Sequence, residues 1–154
     1  MIKIIIPERP IALKRHRHAA HCTYNPQKEE QEAIGLYIQN AANLDTPFSG
    51  PVYIDFRFYF KLPSTKRLRH KKGLYYTHKP DTDNLCKFYL DCMNDVIYND
   101  DSQVFKISAI KCYTPTQERT EIKIQEIPQA DIIFPKEKNE KKEEKYIPAK
   151  KVYK

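Results

Sequence analysis

Residues 52 to 62 alternate strictly between apolar and polar side chains, and this pattern constrains the fold more than any other segment. One set of alternate positions is apolar throughout: Val52, Ile54, Phe56, Phe58 and Phe60. The intervening positions carry polar or amphipathic side chains: Tyr53, Asp55, Arg57, Tyr59 and Lys61. Successive side chains of a strand point to opposite faces of a sheet, so the alternation predicts a half-buried strand.

The other periodic segments predict two helices and three more strands. Apolar residues at helical spacing predict a helix from Pro26 to Leu44 and a second amphipathic helix after residue 83. β-Branched residues predict a strand at residues 2–6, and further strands are expected at Gln103–Tyr113 and at its antiparallel neighbour Glu121–Ile127. The predicted order is β-α-β-α-β-β.

The length and charge of the chain limit its organisation and its partners. One domain is expected at residues 1–134, followed by a flexible tail at 135–154 with eight lysines and four glutamates. The formal net charge of +7 favours a polyanionic partner. No signal peptide or membrane segment is evident and the four cysteines form no C-x-x-C pair, so a cytoplasmic protein with reduced thiols is expected.

Charge is segregated on either side of residue 80. Arg57–Lys79 contains eight lysines and arginines and no acidic residue, whereas Asp81–Asp101 contains six aspartates with Lys87 as its one basic residue. Basic flanks around an acidic centre indicate a site that attracts phosphates and activates one with a metal ion. The chain has neither G-x-x-x-x-G-K-[ST] nor G-x-G-x-x-G, so no nucleotide cofactor is expected.

Asp81 and Asp83 are the first candidate metal ligands. Pro80 disfavours helix at Lys79, so both aspartates are expected in extended chain with their carboxylates on the same side. Oxygen ligands beside phosphate favour Mg²⁺, with Mn²⁺ as an alternative. The same segment also suits an Asx-turn and a helix start capped by Asp83 or Asn84. A calcium loop does not fit, because its sixth position lacks glycine.

Two nearby features have both a functional and a structural interpretation. Charged residues recur at helical spacing: Asp83, Lys87, Asp91 and Asp95. This stripe is either a solvated helix face or a surface on which Lys87 binds a phosphate. Asp100 and Asp101 precede a predicted strand, where they either form a turn or bring one carboxylate to a metal.

The basic segments are candidates for DNA contact. Arg9 to His21 has no clear periodicity, which predicts a basic loop that contacts DNA phosphates. A zinc site is the alternative interpretation, and its ligands would be His16, His18, His21 and Cys22. The predicted contacts with the DNA backbone are Lys14, Arg15, Arg17, Lys66, Arg67, Arg69, Lys71, Lys72 and Lys79.

Three motifs, in order and spacing, resemble the RusA family of Holliday junction resolvases. They are K-P-D-T-D-N-L-C-K at 79–87, D-C-M-N-D at 91–95 and D-D-S-Q-V at 100–104. The resemblance implies an α+β subunit with a small mixed sheet, a homodimer, and Mg²⁺-dependent cleavage of phosphodiester bonds in four-way DNA junctions. It also implies the essential residues Asp81, Asp83, Lys87 and Asp101, with Asp100 as a further candidate metal ligand.

Two other functions remain open on the sequence alone. The chain could be a non-catalytic DNA-binding module whose aspartates only cap and solvate a helix. It could also be a nuclease of the same chemistry that prefers flaps, forks or ordinary duplex.

Overall fold

The computed structural model describes residues 1–14, 17–19, 22–63 and 75–128, and for 17–19 and 22–23 it describes the backbone alone. Several predictions from the sequence lie outside these residues. They are the DNA contacts of Arg15, of the Arg17 side chain and of the basic residues at 66–72, the side chains of the zinc alternative, and the tail at 135–154.

The main sheet is mixed, as predicted, and is built around the alternating segment. This segment forms β4 (Val52–Lys61), and all five of its apolar positions are buried. β4 pairs in parallel with β5 (Val104–Thr114) and antiparallel with β6 (Arg119–Glu126), which also pairs antiparallel with β1 (Ile2–Ile6). The strand order is β1-β6-β4-β5, so the α+β prediction is confirmed.

The predicted pairing of the last two strands is wrong. β6 lies between β1 and β4, because Ile122 and Ile124 are buried on the same face as their β4 partners Phe56 and Ile54. β5 instead follows β4 in parallel at the sheet edge. Parallel neighbours require a long crossover connection, and a helix fills that role here.

Two helices cover one face of this sheet. They are α1 (Lys28–Ala42) and the crossover helix α2 (Thr82–Met93). Tyr89 of α2 lies at the centre of the core, with its ring centroid 5.8 Å from that of Phe58 and its hydroxyl oxygen accepting a hydrogen bond of 2.9 Å from Thr120. Among the described residues, no helix has both the length and the apolar character needed to cross a membrane.

The structure differs from the sequence predictions at three helix and loop boundaries. Asp81, rather than Asp83 or Asn84, occupies the N-cap position of α2, and α1 is slightly shorter than predicted. The predicted basic loop contains a small hairpin, in which β2 (Arg17–Ala19) pairs antiparallel with β3 (Cys22–Tyr24). Such short, polar strands have too few residues to produce a readable alternation.

Candidate active site

The candidate site begins at the first turn of α2. Asp81 has extended backbone dihedrals (φ −74°, ψ 147°), and its carbonyl oxygen accepts the first helical bond, from Leu85 N–H at 3.1 Å. Asp83 already lies on the helix, so the expectation that both aspartates share an extended segment is wrong. The two carboxylates therefore stand at the helix start, where the positive end of the helix dipole favours negative charge.

The charged side chains of this turn are open to solvent. Asp81, Asp83 and Lys87 are exposed, and the Asp81 side chain makes no capping hydrogen bond. The ion pairs among the described residues join other side chains, so Lys87 does not neutralise Asp83 one turn away. Within the described part of the chain, the two carboxylates and the ammonium group on this surface have no ion-pair partner that would compete with a ligand.

The predicted stripe along α2 is shorter than expected. The helix ends at Met93, and Asp95 adopts a left-handed backbone with φ of 59° in the following turn. Asp91 is partly buried, and its carboxylate oxygen lies 3.4 Å from Gln31 Nε2 of α1. Asp83 and Lys87 are thus the members of the stripe that lie exposed on the helix surface.

Asp100 and Asp101 have different surroundings. Asp100 caps a 3₁₀ turn at Asp101–Gln103, and its Oδ1 accepts a hydrogen bond of 2.8 Å from Ser102 N–H. Hydrogen bonds from the side chain and the backbone of Ser102 hold the pKa of the Asp100 carboxyl below its ordinary value. Asp101 is exposed, and no hydrogen bond or ion pair within the described part of the chain occupies its carboxylate.

Two contacts hold the 3₁₀ turn in place, one toward β4 and one toward α2. Gln103 Oε1 accepts hydrogen bonds from the N–H groups of Asn99 and Asp100, while its Nε2 donates to the Phe48 and Gly50 carbonyls that precede β4.

The second contact comes from Tyr98, which is fully buried and donates its hydroxyl hydrogen to the Leu90 carbonyl of α2 at 3.0 Å. Burial raises the pKa of Tyr98, and the negative charge of Asp101 raises it further. The fold therefore places the residues that precede the 3₁₀ turn against the C-terminal half of α2, whereas Asp83 lies in the first turn of that helix.

Two of the predicted DNA contacts are described, and both lie next to α2. Lys14 is exposed and follows Leu13, whose N–H donates a hydrogen bond of 2.9 Å to the Asn84 carbonyl in the first turn of α2. Lys79 is exposed and stands two residues before Asp81. Lys79 therefore precedes the carboxylates in the chain, whereas Lys14 comes from a distant segment that is bonded to the first turn of α2.

The first of the two cysteines of α2 is Cys86, which is buried three residues after Asp83. Burial raises the pKa of the Cys86 thiol to about 11, and the nearby Asp83 charge adds to the shift. A thiol with this pKa stays protonated at pH 7, whereas metal binding and nucleophilic attack require the thiolate. The exposed carboxylates, rather than this thiol, are therefore the candidate ligands at this site.

The carboxylates do not form a closed metal-binding cage. No three His, Cys, Asp or Glu side chains of the described residues lie close enough together to hold one ion. Mg²⁺ is usually bound by one or two carboxylates, with water and substrate phosphate completing its shell. The exposed carboxylates at 81, 83 and 101 suit that kind of site and do not suit structural zinc, which needs four protein ligands.

Sequence reasoning missed Lys111, which lies next to this site. Its Nζ donates a hydrogen bond of 2.7 Å to the Pro80 carbonyl, immediately before Asp81. Lys111 is opposite Phe58 in the parallel register, on the sheet face that otherwise buries apolar side chains. The available signal was a lysine among the core-facing positions of a strand.

The similarity to known proteins agrees with this geometry. The model of the family described as endodeoxyribonuclease RusA matches residues 7–125. The chain belongs to the RusA endodeoxyribonuclease family. The resemblance seen in the three motifs is thereby confirmed, and the match spans α1, α2, β4, β5 and every candidate site residue between 14 and 111.

The chain is also similar in sequence to YqaN, an uncharacterized protein of Bacillus subtilis (strain 168). It is 37% identical to this chain over 90 residues, which are 54% of this chain and 63% of YqaN. The matched part is thus less than two thirds of that protein.

Proposed function

We propose that this RusA family member is a Mg²⁺-dependent endonuclease that cuts four-way DNA junctions, with a role in recombination and repair. The observation that supports the proposal best is the pair of exposed carboxylates, Asp81 and Asp83, at the start of α2, with Lys87 exposed one turn further on. Asp101, on the 3₁₀ turn, is a third exposed carboxylate. The family match indicates the reaction class, and these residues are the proposed metal-binding and catalytic groups.

Asp81, Asp83 and Asp101 would supply the carboxylate ligands of one or two metal ions, each bound by one or two of them, with water and substrate phosphate completing the shell. When bound, Mg²⁺, or Mn²⁺ in its place, polarises the scissile phosphate and lowers the pKa of a bound water. Lys87 would donate to a phosphate oxygen and stabilise negative charge that develops there. Asp100 contributes less in this scheme, because its carboxylate already caps the 3₁₀ turn.

The partner in this proposal is branched DNA, bound by a homodimer. A four-way junction has approximate twofold symmetry, so two equivalent strands can meet the two equivalent sites of a C2 dimer. Lys14 and Lys79 would contact the backbone on either side of the carboxylates, and the basic run at 66–72 would extend that contact. Light scattering of the purified chain, with and without DNA, measures the oligomeric state directly.

A comparison of two substitutions tests the nuclease proposal. Asp83→Asn keeps the shape of the side chain and removes its charge, so cleavage of a labelled junction in Mg²⁺ should fall at least about a hundredfold. Junction binding should persist or tighten, because a negative charge that faces phosphate is gone. Asp45→Asn is the matched control, since Asp45 is an exposed aspartate in the segment between α1 and β4.

The same experiment separates the competing functions. Binding without cleavage under Mg²⁺ or Mn²⁺ would favour a non-catalytic DNA-binding module. Equal cleavage of the junction and of linear duplex or flaps with the same arm sequences would keep the nuclease chemistry and exclude the junction preference. Wild-type activity of the Asp83→Asn variant would reject the assigned site.

A further inference from the structure

The three carbonyl groups that precede Asp81 all accept hydrogen bonds from side chains. Lys111 Nζ donates to the His78 carbonyl at 2.9 Å and to the Pro80 carbonyl at 2.7 Å. The Tyr76 hydroxyl donates to the intervening Lys79 carbonyl at 2.8 Å. The backbone that leads into Asp81 is therefore held residue by residue.

Both donors are attached to β5. Lys111 is a β5 residue, and its carbonyl accepts a hydrogen bond of 2.9 Å from Tyr76 N–H. The Tyr76 ring stacks on Phe60 with centroids 4.0 Å apart, and Lys111 Nζ lies 5.5 Å from the centroid of the same ring. Packing thus limits the movement of both side chains, because Tyr76 stacks on the buried Phe60 ring and Lys111 lies over the Tyr76 ring.

The position of the Asp81 carboxylate depends on this backbone. Asp81 makes no side-chain capping bond, so its direction is set by the main chain on either side of it. On the following side the main chain is helix α2, and on the preceding side it is the segment that Lys111 holds. Hydrogen bonds from an ammonium group are stronger than those between neutral groups, which makes Lys111 an effective anchor.

We infer that Lys111 is a positioning residue of the nuclease site, which fixes residues 78–80 and through them the metal-binding direction of Asp81. The inference rests on the proposed function, because it concerns the same metal site. A residue that only stabilises the fold would change the melting temperature without changing metal affinity. A positioning residue changes metal affinity in protein that is still folded.

The test compares two lysines of one strand in the full-length chain. Lys111→Met removes the donors and keeps the length of the side chain, whereas Lys106→Met is the matched control, because Lys106 is exposed and contacts the Tyr53 ring instead. Calorimetry measures the Kd for Mn²⁺, and junction cleavage gives kcat and KM. For Lys111→Met the Kd should rise about tenfold and kcat should fall with KM for DNA nearly unchanged, as for outer groups that orient metal ligands.

The control should behave as the wild type in both measurements. Lys111→Arg keeps donors at this position and should restore part of the metal affinity. If Lys111→Met does not fold, Tyr76→Phe tests the same anchoring of residues 78–80, since it keeps the ring and removes only the bond to the Lys79 carbonyl. This variant should weaken Mn²⁺ binding severalfold.

The inference would be overturned by wild-type Mn²⁺ affinity in a folded Lys111→Met protein, whether or not its melting temperature is lower. If only Tyr76→Phe folds, wild-type Mn²⁺ affinity in that variant would overturn it. The proposed function can fail separately. A wild-type chain that binds Mn²⁺ but cuts no DNA would reject the nuclease, while weaker Mn²⁺ binding by Lys111→Met in that chain would still support the positioning role.

Discussion

At the scale of single residues, Asp100 and Asp101 are adjacent carboxylates with opposite surroundings. The Asp100 carboxylate is committed to the cap of a 3₁₀ turn, whereas that of Asp101 is exposed and has no partner within the described residues. Residue patterns identify the pair without separating its members, and the preference for Asp101 came from the family resemblance. In the structure, the hydrogen bond that Asp100 accepts from Ser102 N–H separates them.

Substitution of the two aspartates should therefore give different results. Asp101→Asn is expected to lower cleavage at least about a hundredfold, or about 2.7 kcal/mol of transition-state stabilisation, with unchanged stability. Asp100→Asn should retain both activity and stability, because asparagine caps about as well as aspartate. Cleavage rates and urea unfolding of both variants check this expectation. Equal loss of activity in both would assign the pair a joint role.

The cysteines of α2 give a prediction about pH. Burial raises the pKa of Cys86 to about 11 and that of Cys92 to about 12, so both thiols stay protonated in the folded protein at pH 8. Alkylation requires the thiolate, and a shift of two units lowers its population about a hundredfold. Mass spectrometry should find Cys86 labelled about a hundredfold more slowly by iodoacetamide in folded than in urea-unfolded protein. Equal rates would show that Cys86 is not buried.

At the scale of elements, the candidate site depends on how the 3₁₀ turn is joined to α2 and to β4. Gln103 makes two hydrogen bonds within the turn and two to the carbonyl groups that precede β4, and the Tyr98 hydroxyl donates to the Leu90 carbonyl of α2. The site is therefore shared between a helix and a turn that the sheet holds together.

Loss of the Gln103 side chain should loosen the turn. Gln103→Ala leaves two backbone carbonyls and two N–H groups without their partners, which costs about 1–3 kcal/mol of unfolding free energy. Cleavage should fall at least about tenfold, because the turn that carries Asp101 is no longer held in place, while DNA binding is retained. Denaturant titration and cleavage assays measure both effects. Gln125→Ala, at an exposed position on β6, serves as control and should change neither.

The sequence predicted whether a segment is a helix or a strand where its periodicity is long. It did not predict which strands pair with each other. The alternation of β4 and the apolar face of α2 predicted both elements and their buried residues. The pairing of β6 with β1 and β4 depends on tertiary packing, which no local pattern reports. The start of α2 was misjudged by two residues, because Asp81, Asp83 and Asn84 are all good caps.

At the scale of the whole molecule, charge is expected to govern DNA affinity. The chain carries a net charge of +7, and residues 135–154 contribute eight lysines and four glutamates to it. The Kd for a junction should therefore rise steeply with salt, and truncation after Phe134 should reduce the slope of log Kd against log salt. The truncated chain should still melt cooperatively, since it retains every described strand and helix. An unchanged slope would show that the tail makes no DNA contact.

The parallel pairing of β4 with β5 also has a consequence for folding. Asp81, Asp83, Lys87 and Asp101 all lie in the crossover between these strands, and the pairing brings together residues as distant in sequence as Phe58 and Lys111. Closing so long a loop is slow, because its entropy is lost before the contacts form. The antiparallel pairs close still longer loops, since β4 pairs Tyr59 with Arg119 and β1 pairs Ile6 with Thr120. During refolding, the crossover and β5 should therefore gain protection from hydrogen exchange no later than β1, and competence for cleavage should not precede that protection.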